Sequence, residues 1–410
     1  MEAHEVFTIL KRHVSPGAAL SAKFMGSDAV ETSSDGATIR LSDGRELIDF
    51  GSYAVALLGH RYPAVIDAVV RQLGAIPTST RALANPAVAA LIVALTTRSE
   101  DRLQHVWLGS DGADVVELAI KLARRVSERP RVLAVEGAFH GKTLGALALT
   151  SGPTFRAGLD TLLAHVSHVK RDDGTAVARE VSRGDVAALI IEPIQGEGGV
   201  RPLDPDVLRQ WASDARAAGA FVISDEIQVG LTRCGPFSLA TEFGLRPDAV
   251  LFGKALGGGI LPLAAMLATE QLHQPLIADP TWHSSTFGGH PLSCAAGTAS
   301  LESLDALADR RTELSGQIEA ELRNLTTLHA GTIVDLRGRG LLWGIELRTA
   351  SQAGHLLLEL ASRGLLVSPC MSSPTTIRLM PPITTTDEQM ERAIRCLSDG
   401  LEAIRKDDLG

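Results

Sequence analysis

The chain has 410 residues, 45% of them hydrophobic, and carries a formal net charge of -9 at pH 7. This length allows a large core in one major and one minor domain, and the acidic balance without a basic arm disfavours binding to nucleic acid. The N-terminal residues lack the apolar core of a signal peptide, no apolar run approaches membrane-spanning length, and the four cysteines are scattered, so we expect a cytoplasmic protein with no membrane partner and no metal site.

Apolar strands and amphipathic helices alternate through the middle of the chain. A helix is expected at 206–219, because a proline-containing start signal precedes it and Gly219 supplies a stop. The alternation predicts an α/β sheet covered by helices. The predicted strands lie near residues 105–109, 131–136, 187–192, 221–225, 249–253 and 263–268.

The pattern changes after about residue 300, where a long helical stretch leads into shorter elements. We predict short strands around 332–348, a helix near 351–363, strands around 365–368 and 376–379, and a closing helix. We therefore expect three segments: residues 1–60 joining a small domain, a large domain at 61–300, and the rest of the small domain at 301–410.

A helix with the start Ser110-Asp111-Gly112-Ala113-Asp114 follows the first of the central strands. Backbone amides of Gly112 and Ala113 at a helix N-terminus can bind a phosphate group. The carboxylate of Asp111 would repel that anion. Asp111 could turn away as a helix cap, Ser110 could replace it after a small shift, or the phosphate could sit differently, and we favour the cap.

The apolar run 220–224 reads as a buried strand that ends in Asp225 and Glu226, with Gln228 close behind. Functional groups in open parallel sheets collect at such strand ends. A buried carboxylate needs a cation or strong donors, and a protonated pyridine nitrogen would serve Asp225. Gln228 could donate to the phenolic oxygen of the same ring.

Lys254 lies where the apolar segment 249–253 enters a glycine-rich turn at 257–259. In a water-poor crevice the pKa of a lysine ammonium falls, and the neutral amine can form a Schiff base with an aldehyde such as that of pyridoxal 5'-phosphate. The glycines match neither the dinucleotide nor the Walker fingerprint, so an NAD oxidoreductase is a weak alternative.

Several segments together resemble the class III aminotransferases of the ornithine, acetylornithine and 4-aminobutyrate type, which depend on pyridoxal phosphate. The resemblance implies the aspartate-aminotransferase-like fold (fold type I), with a mostly parallel sheet in the large domain and a smaller α+β domain. The segments that carry it lie at 48–53, 58–63, 135–143, 192–199, 225–235 and 283–292.

The resemblance also implies roles for single residues in the cofactor site. Lys254 would be the covalent anchor and the general base and acid, and Asp225 would pair with the pyridine nitrogen. Phe139 and Ile227 would lie on opposite ring faces, with Gln228 at the phenolic oxygen. Thr286 matches a threonine that reaches the cofactor phosphate of the other subunit, which implies a homodimer with shared active sites. The remaining predicted cofactor-binding residues are Asp111, Gly112, Ala113, His140 and Glu192.

Substrate recognition depends on four further positions. Arg378 matches an arginine that grips a substrate carboxylate, and Glu197 matches the glutamate that masks this arginine for ω-amines. Tyr53 and Lys142 align with substrate-facing positions, although each could equally be a packing or surface residue. Ala84 departs from the tyrosine of ornithine aminotransferase, which places an ornithine pocket in doubt.

These observations predict an enzyme that moves an amino group between an amino acid or ω-amine and a 2-oxo acid such as 2-oxoglutarate. An alternative keeps the fold and cofactor but uses the carbanion for γ-replacement, C–C bond formation, epimerisation or decarboxylation in specialised metabolism. A non-catalytic cofactor-binding protein is disfavoured because Lys254 occurs together with Asp225.

Overall fold

The computed structural model describes residues 1–80 and 82–407. The chain divides into two compact units. A small unit is built from residues 1–62 and 308–410, and a large unit comprises residues 63–307. Within the described residues, no helix is both long enough and apolar enough to cross a membrane.

Strands and helices alternate along much of the chain. The strands are β1 (Glu31–Asp35), β2 (Thr38–Leu41), β3 (Glu46–Asp49), β4 (His105–Gly109), β5 (Arg131–Val135), β6 (Val166–Val169), β7 (Val186–Ile191), β8 (Ile194–Gln195), β9 (Arg201–Pro202), β10 (Phe221–Asp225), β11 (Ala249–Phe252), β12 (Ala264–Ala268), β13 (Ile333–Arg339), β14 (Leu342–Leu347), β15 (Leu365–Leu366), β16 (Ser368–Cys370) and β17 (Ser373–Leu379). The helices are α1 (Ala3–His13), α2 (Pro16–Met25), α3 (Pro63–Ala75), α4 (Pro86–Thr96), α5 (Gly112–Ser127), α6 (Leu144–Leu149), α7 (Pro153–Arg156), α8 (Ala176–Val181), α9 (Pro205–Ala217), α10 (Leu239–Glu242), α11 (Glu270–Ala278), α12 (Pro291–Ala306), α13 (Ala308–Leu328), α14 (Ala350–Ser362) and α15 (Asp387–Asp407).

The large unit contains a seven-stranded sheet in the order β4-β12-β11-β10-β7-β5-β6. The pairs β11–β10, β10–β7, β7–β5 and β5–β6 are parallel, whereas β12 runs against its neighbours β11 and β4. Neighbouring parallel strands therefore end at the same edge of the sheet. The predicted α/β fold with a mostly parallel sheet is confirmed.

The central strands of this sheet are mostly apolar, as is typical of strands covered by helices on both faces. All residues of β5, β7, β10, β11 and β12 are buried. Helix α5 packs its apolar side on β12, β7 and β11, and its core-facing residues include Leu118 and Leu122. The six predicted strands are confirmed to within one residue at each end, and the predicted helix at 206–219 is α9.

The small unit has two four-stranded sheets. One has the order β1-β2-β3-β15, in which β15 from the C-terminal half pairs in parallel with β3. The other is antiparallel, with the order β13-β14-β17-β16. The strand expected at 365–368 is split between β15 and β16.

Candidate active site

Asp225 and Lys254 emerge at the same edge of the large sheet. Asp225 is the last residue of β10 and pairs in register with Leu251 of the parallel strand β11. Lys254 follows β11 by two residues and begins a 3-10 turn. Its φ of 44° lies in the left-handed region, which costs a non-glycine residue about 1–2 kcal/mol. Such strain collects at functional sites, where the surroundings hold it in place.

The Asp225 carboxylate is buried and held by two donors. His140 Nδ1 lies 2.7 Å from Asp225 Oδ2, and the Ile227 amide donates to Oδ1 at 3.1 Å. Burial alone would lower the pKa of His140, but its hydrogen bond to Asp225 and the charge of that carboxylate outweigh burial and raise the pKa. The contact therefore favours the protonated form of His140 next to the Asp225 carboxylate.

Glu192 is a second buried carboxyl group in the same cluster. Burial raises the pKa of Glu192 to about 7, against the opposing charge of His140. The charge of Asp225 raises this pKa further, whereas that of Lys254 lowers it. The Phe139 amide also donates to Glu192 Oε2 at 2.8 Å. The structure thus brings five predicted site residues into one electrostatic group, namely Phe139, His140, Glu192, Asp225 and Lys254.

The N-terminus of α5 lies against Ile227. A Cβ added to Gly112 would come within 2.9 Å of Ile227 Cδ1, and one added to Gly253 within 3.2 Å of Ile227 Cγ2. Ile227 therefore separates the first turn of α5 from the residue before Lys254, and Gly112 leaves no room for a side chain. Ala113 contacts the turn after His140, since a Cβ on Gly141 would lie 2.9 Å from the Ala113 Cβ.

Asp111 is the N-cap of α5. Its Oδ1 accepts from the Asp114 amide at 3.1 Å, and Asp114 Oδ2 in turn accepts from the Ser110 amide at 3.1 Å. Both carboxylates are thus used in the cap. Because the first amides of a helix have no acceptor within it, Gly112 and Ala113 keep the donors that a phosphate needs.

The segment 136–142 is fixed by residues that the sequence alone did not single out. Gln195, fully buried, donates to the Glu136 carbonyl at 2.9 Å, and the Thr150 hydroxyl accepts from the His140 amide at 3.0 Å. Lys142 is exposed, with its Nζ 4.6 Å from the centre of the Phe155 ring. Thr150 lies ten residues after His140, and nothing in the sequence indicates that its hydroxyl accepts from the His140 amide.

Glu226 has a structural role that the sequence did not reveal. Its buried carboxylate accepts from Ser238 Oγ at 2.7 Å and from the Leu239 and Ala240 amides at 2.7 and 2.9 Å, with Ser224 Oγ at 3.1 Å. Burial raises the pKa of Glu226 while these donors oppose the shift. Glu226 therefore anchors the loop that begins with Ile227 and Gln228.

Gln228 and Glu197 are also buried in the large unit, at 8% and 5% exposure. The backbone of Gly196 lies directly against the Gln228 amide group. Glu197 follows Gly196, so the 194–198 segment and the loop after β10 meet.

Thr286 is exposed at a groove of the large unit with a volume of about 660 Å³. The exposed apolar side chains Leu83 and Phe287 also line this groove. At the start of the same segment, His283 Nδ1 lies 2.9 Å from Lys121 Nζ of α5. Thr286 is thus placed on the surface of the large unit, whereas Asp225, His140 and Glu192 are buried.

Tyr53 and Arg378 belong to the small unit. Arg378 lies on β17, paired with Gly344 of β14, and is only 2% exposed. Tyr53 is 79% exposed on a turn with left-handed backbone. The guanidinium of Arg378 can pair with an anionic group of a small ligand, and the phenol of Tyr53 can form a hydrogen bond to it.

The cluster in the large unit fits pyridoxal phosphate. Asp225 and Glu192 set two buried carboxyl groups against one imidazole, an arrangement that favours a further cation such as a protonated ring nitrogen. The first amides of α5, at Gly112 and Ala113, have no acceptor within the helix and so suit a phosphate. Lys254 supplies the amine at the same sheet edge.

Comparisons with known proteins identify the family of the chain. The family model for class-III aminotransferases matches residues 23–401. The chain is 35% identical over 417 residues to a putrescine aminotransferase of Pectobacterium atrosepticum, which covers 98% of this chain and 89% of the relative. It is similar to the solved ornithine aminotransferase of Toxoplasma gondii ME49, with a TM-score of 0.90, 27% identity and coverage of 99% and 96%. An amine transaminase from an uncultivated Pseudomonas species, solved in its PLP-bound form, has a TM-score of 0.83 at 25% identity over 92% of this chain and 95% of that one.

Proposed function

The chain belongs to the class-III aminotransferases, and from that membership we propose that its amino donor is a short ω-amine or diamine and its acceptor a 2-oxo acid such as 2-oxoglutarate. The chain is thus a pyridoxal-phosphate-dependent transferase. The observation that carries the choice of donor is the 35% identity to a putrescine aminotransferase over 98% of the chain.

When bound, pyridoxal phosphate supplies an aldehyde for the substrate amine and a protonated ring that withdraws electrons from the carbon bearing it. Lys254 Nζ would hold the cofactor between turnovers and then move the proton from that carbon. Asp225, buried and braced by His140 at 2.7 Å, would keep a negative charge facing the ring nitrogen. Ile227 and Phe139 would exclude water from the two ring faces.

We assign the carboxylate of the 2-oxo acid to Arg378, since a guanidinium binds a carboxylate bidentately. Its burial on β17 supports a role for this charge in binding an anion. Glu197 is buried as well, and its carboxylate suits the ammonium group of an ω-amine. Tyr53 and Lys142 are proposed to face the substrate.

We also propose that the enzyme is a homodimer in which Thr286 reaches the partner's cofactor phosphate. The exposure of Thr286 on an apolar groove supports this arrangement, because Leu83 and Phe287 are 73% and 63% exposed beside it.

The four cysteine side chains are buried. Buried thiols suit a reducing cytoplasm, where we propose that the enzyme works.

The first experiment gives cofactor-loaded protein a panel of putrescine, ornithine, 4-aminobutyrate and alanine without an acceptor. We expect about one equivalent of the oxo product per subunit from the true donor, and continuous turnover only after 2-oxoglutarate is added. Lys254→Ala should reduce turnover by at least about a hundredfold, and the exposed Lys170→Ala control should be unchanged. Turnover of alanine but not of putrescine would overturn the proposed donor class, and product that forms without amino transfer would contradict transamination.

A further inference from the structure

The turn that carries Tyr53 has an unusual backbone. Ser52, Tyr53 and Ala54 have φ values of 40°, 50° and 66°, so three successive residues with side chains lie in the left-handed region. Such residues rarely adopt this conformation, and it persists only where the surrounding structure holds it. The turn is closed by the Ala54 amide donating to the Gly51 carbonyl at 3.1 Å. In this turn the Tyr53 side chain is exposed, whereas its neighbour Ala54 is buried.

The buried carboxylate of Asp49 contacts residues on both sides of Tyr53. Asp49, the last residue of β3, is 2% exposed. It accepts from the Gly51 amide at 2.9 Å and from the Ser52 hydroxyl, and His60 Nε2 lies 2.8 Å from its Oδ2. The first two donors precede Tyr53, whereas the imidazole follows it by seven residues. Asp49 and His60 therefore bracket the turn.

Both members of this pair are fixed in the small unit. Asp49 pairs with Leu366 of β15, and its amide donates to the Ala37 carbonyl at 2.8 Å. The backbone of His60 exchanges two hydrogen bonds with Gly36, at 2.7 and 3.0 Å. The side chains thus meet from two anchored backbone segments, so that their contact can hold the loop between them.

The contact is also charge-assisted. The hydrogen bond to Asp49 raises the pKa of His60 against the effect of burial, and the charges of Asp49, Glu31 and Asp35 act in the same direction. A hydrogen bond between ionised partners is stronger than a neutral one. The surroundings therefore favour the form of His60 that binds Asp49 most tightly.

We infer that Asp49 and His60 are positioning residues for substrate binding, because together they hold the left-handed turn that presents the Tyr53 phenol to the amino donor. The inference rests on the proposed function, in which Tyr53 faces the substrate. Neither residue contacts the reacting atoms. Their removal should therefore weaken donor binding more than it slows the chemical step.

The test measures KM and kcat for putrescine with saturating 2-oxoglutarate. His60→Ala should raise KM for putrescine about tenfold and leave kcat within about twofold, with the absorbance of the bound cofactor unchanged. His60→Gln, which keeps an Nε2–H donor, should recover most of the loss. Ser52→Ala removes another donor to Asp49 and should raise KM by about threefold. His355→Ala replaces a half-exposed histidine of the same unit; it is the matched control and should behave as the wild type.

A double-mutant cycle with Tyr53→Ala distinguishes positioning from general destabilisation. Once the phenol is gone, His60→Ala should add no further increase in KM. An equal increase in the Tyr53→Ala background would overturn the inference, and so would an unchanged KM in Tyr53→Ala itself. If His60→Ala does not fold, the same cycle with Ser52→Ala decides the question. Failure of the wild type to accept putrescine would instead refute the proposed donor class.

Discussion

At the scale of single residues, the central feature is a buried group in which two carboxyls share one imidazole. His140 bonds directly to Asp225, and Glu192 completes the cluster through its charge and its bond to the Phe139 amide. Burial raises the pKa of Glu192, the charge of His140 opposes that rise, and the charge of Asp225 adds to it. The cluster thus gathers two buried carboxyl groups where we propose that the cationic ring binds.

Asp225→Asn tests the charge separately from the shape. The amide is isosteric, so folding should survive, but the partner of the ring nitrogen and of His140 loses its charge. We expect kcat/KM to fall by about 10²–10³-fold, the usual cost of one preorganised electrostatic partner. Steady-state kinetics measure the loss, with the exposed Asp172→Asn as control. Activity within about twofold of the wild type would show that Asp225 does not serve the ring.

Glu192 predicts a pH effect on stability. Burial raises its pKa in the folded chain to about 7, from an ordinary value of 4.5. The folded state therefore holds a proton that the unfolded state releases, and the resulting stability is full below about pH 4.5 and is lost as the pH rises through about 7. In cofactor-free protein, the Tm of the wild type should fall more steeply between pH 5 and 8 than that of Glu192→Gln. Parallel Tm profiles would place the titration elsewhere.

At the scale of elements, the N-terminus of α5 combines two functions: its amides can bind a phosphate, and its carboxylates cap the helix. Its first amides are suited to a phosphate, yet it begins with two carboxylates, Asp111 and Asp114. The interlocked cap directs Asp111 to the Asp114 amide and Asp114 to the Ser110 amide. The cap stabilises the helix, whereas the negative charge opposes the anion.

Two substitutions separate these effects. Asp111→Ser keeps a cap and removes the charge, so the Tm should stay the same and the Kd for pyridoxal phosphate should fall by about fourfold, as expected from Coulomb's law for charges about 5 Å apart in a water-like medium. Asp111→Ala should also bind the cofactor more tightly but lose about 1 kcal/mol of stability. Fluorescence titration and thermal unfolding measure the two quantities. Weaker cofactor binding by Asp111→Ser would mean that the carboxylate assists binding.

The elements themselves were largely predictable. Strands such as β7 and β10 are continuous apolar runs, and α9 has clear start and stop signals. The edge strand β6, with the sequence Val-Ser-His-Val, was missed because it is short and half-polar. The class III membership was also predicted from ordered motifs.

The contacts inside the site were not predictable in the same way. His140 and Asp225 are 85 positions apart, and nothing in either segment indicates that they bond to each other. The bond that the His140 amide donates to the Thr150 hydroxyl and the four donors to Glu226 likewise depend on the folded chain. Family motifs name the residues, and tertiary structure decides their partners. The roles of the individual site residues stay predictions, from Lys254 and Asp225 to Glu197, Arg378 and Thr286.

At the scale of the whole molecule, a shared active site can be tested by complementation. Thr286→Ala should bind pyridoxal phosphate more weakly, and Lys254→Ala should be inactive. Co-expression of the two should form mixed dimers that each contain one intact site. At low cofactor concentration we expect about a quarter of the wild-type activity, since random pairing makes half of the dimers mixed. Activity equal to the sum of the separate variants would contradict a threonine that acts across the interface.

The pairing of β15 with β3 has a consequence for how the chain is made. Ile48 and Leu365, which are partners in that pairing, are 317 positions apart. At a synthesis rate of about 5–20 residues per second, roughly 15–60 s pass between the synthesis of β3 and that of its partner strand β15. The large unit is complete in sequence at residue 307 and can fold first. During translation the exposed edge of β3, next to Tyr53, is therefore open to capture by chaperones or by other nascent chains.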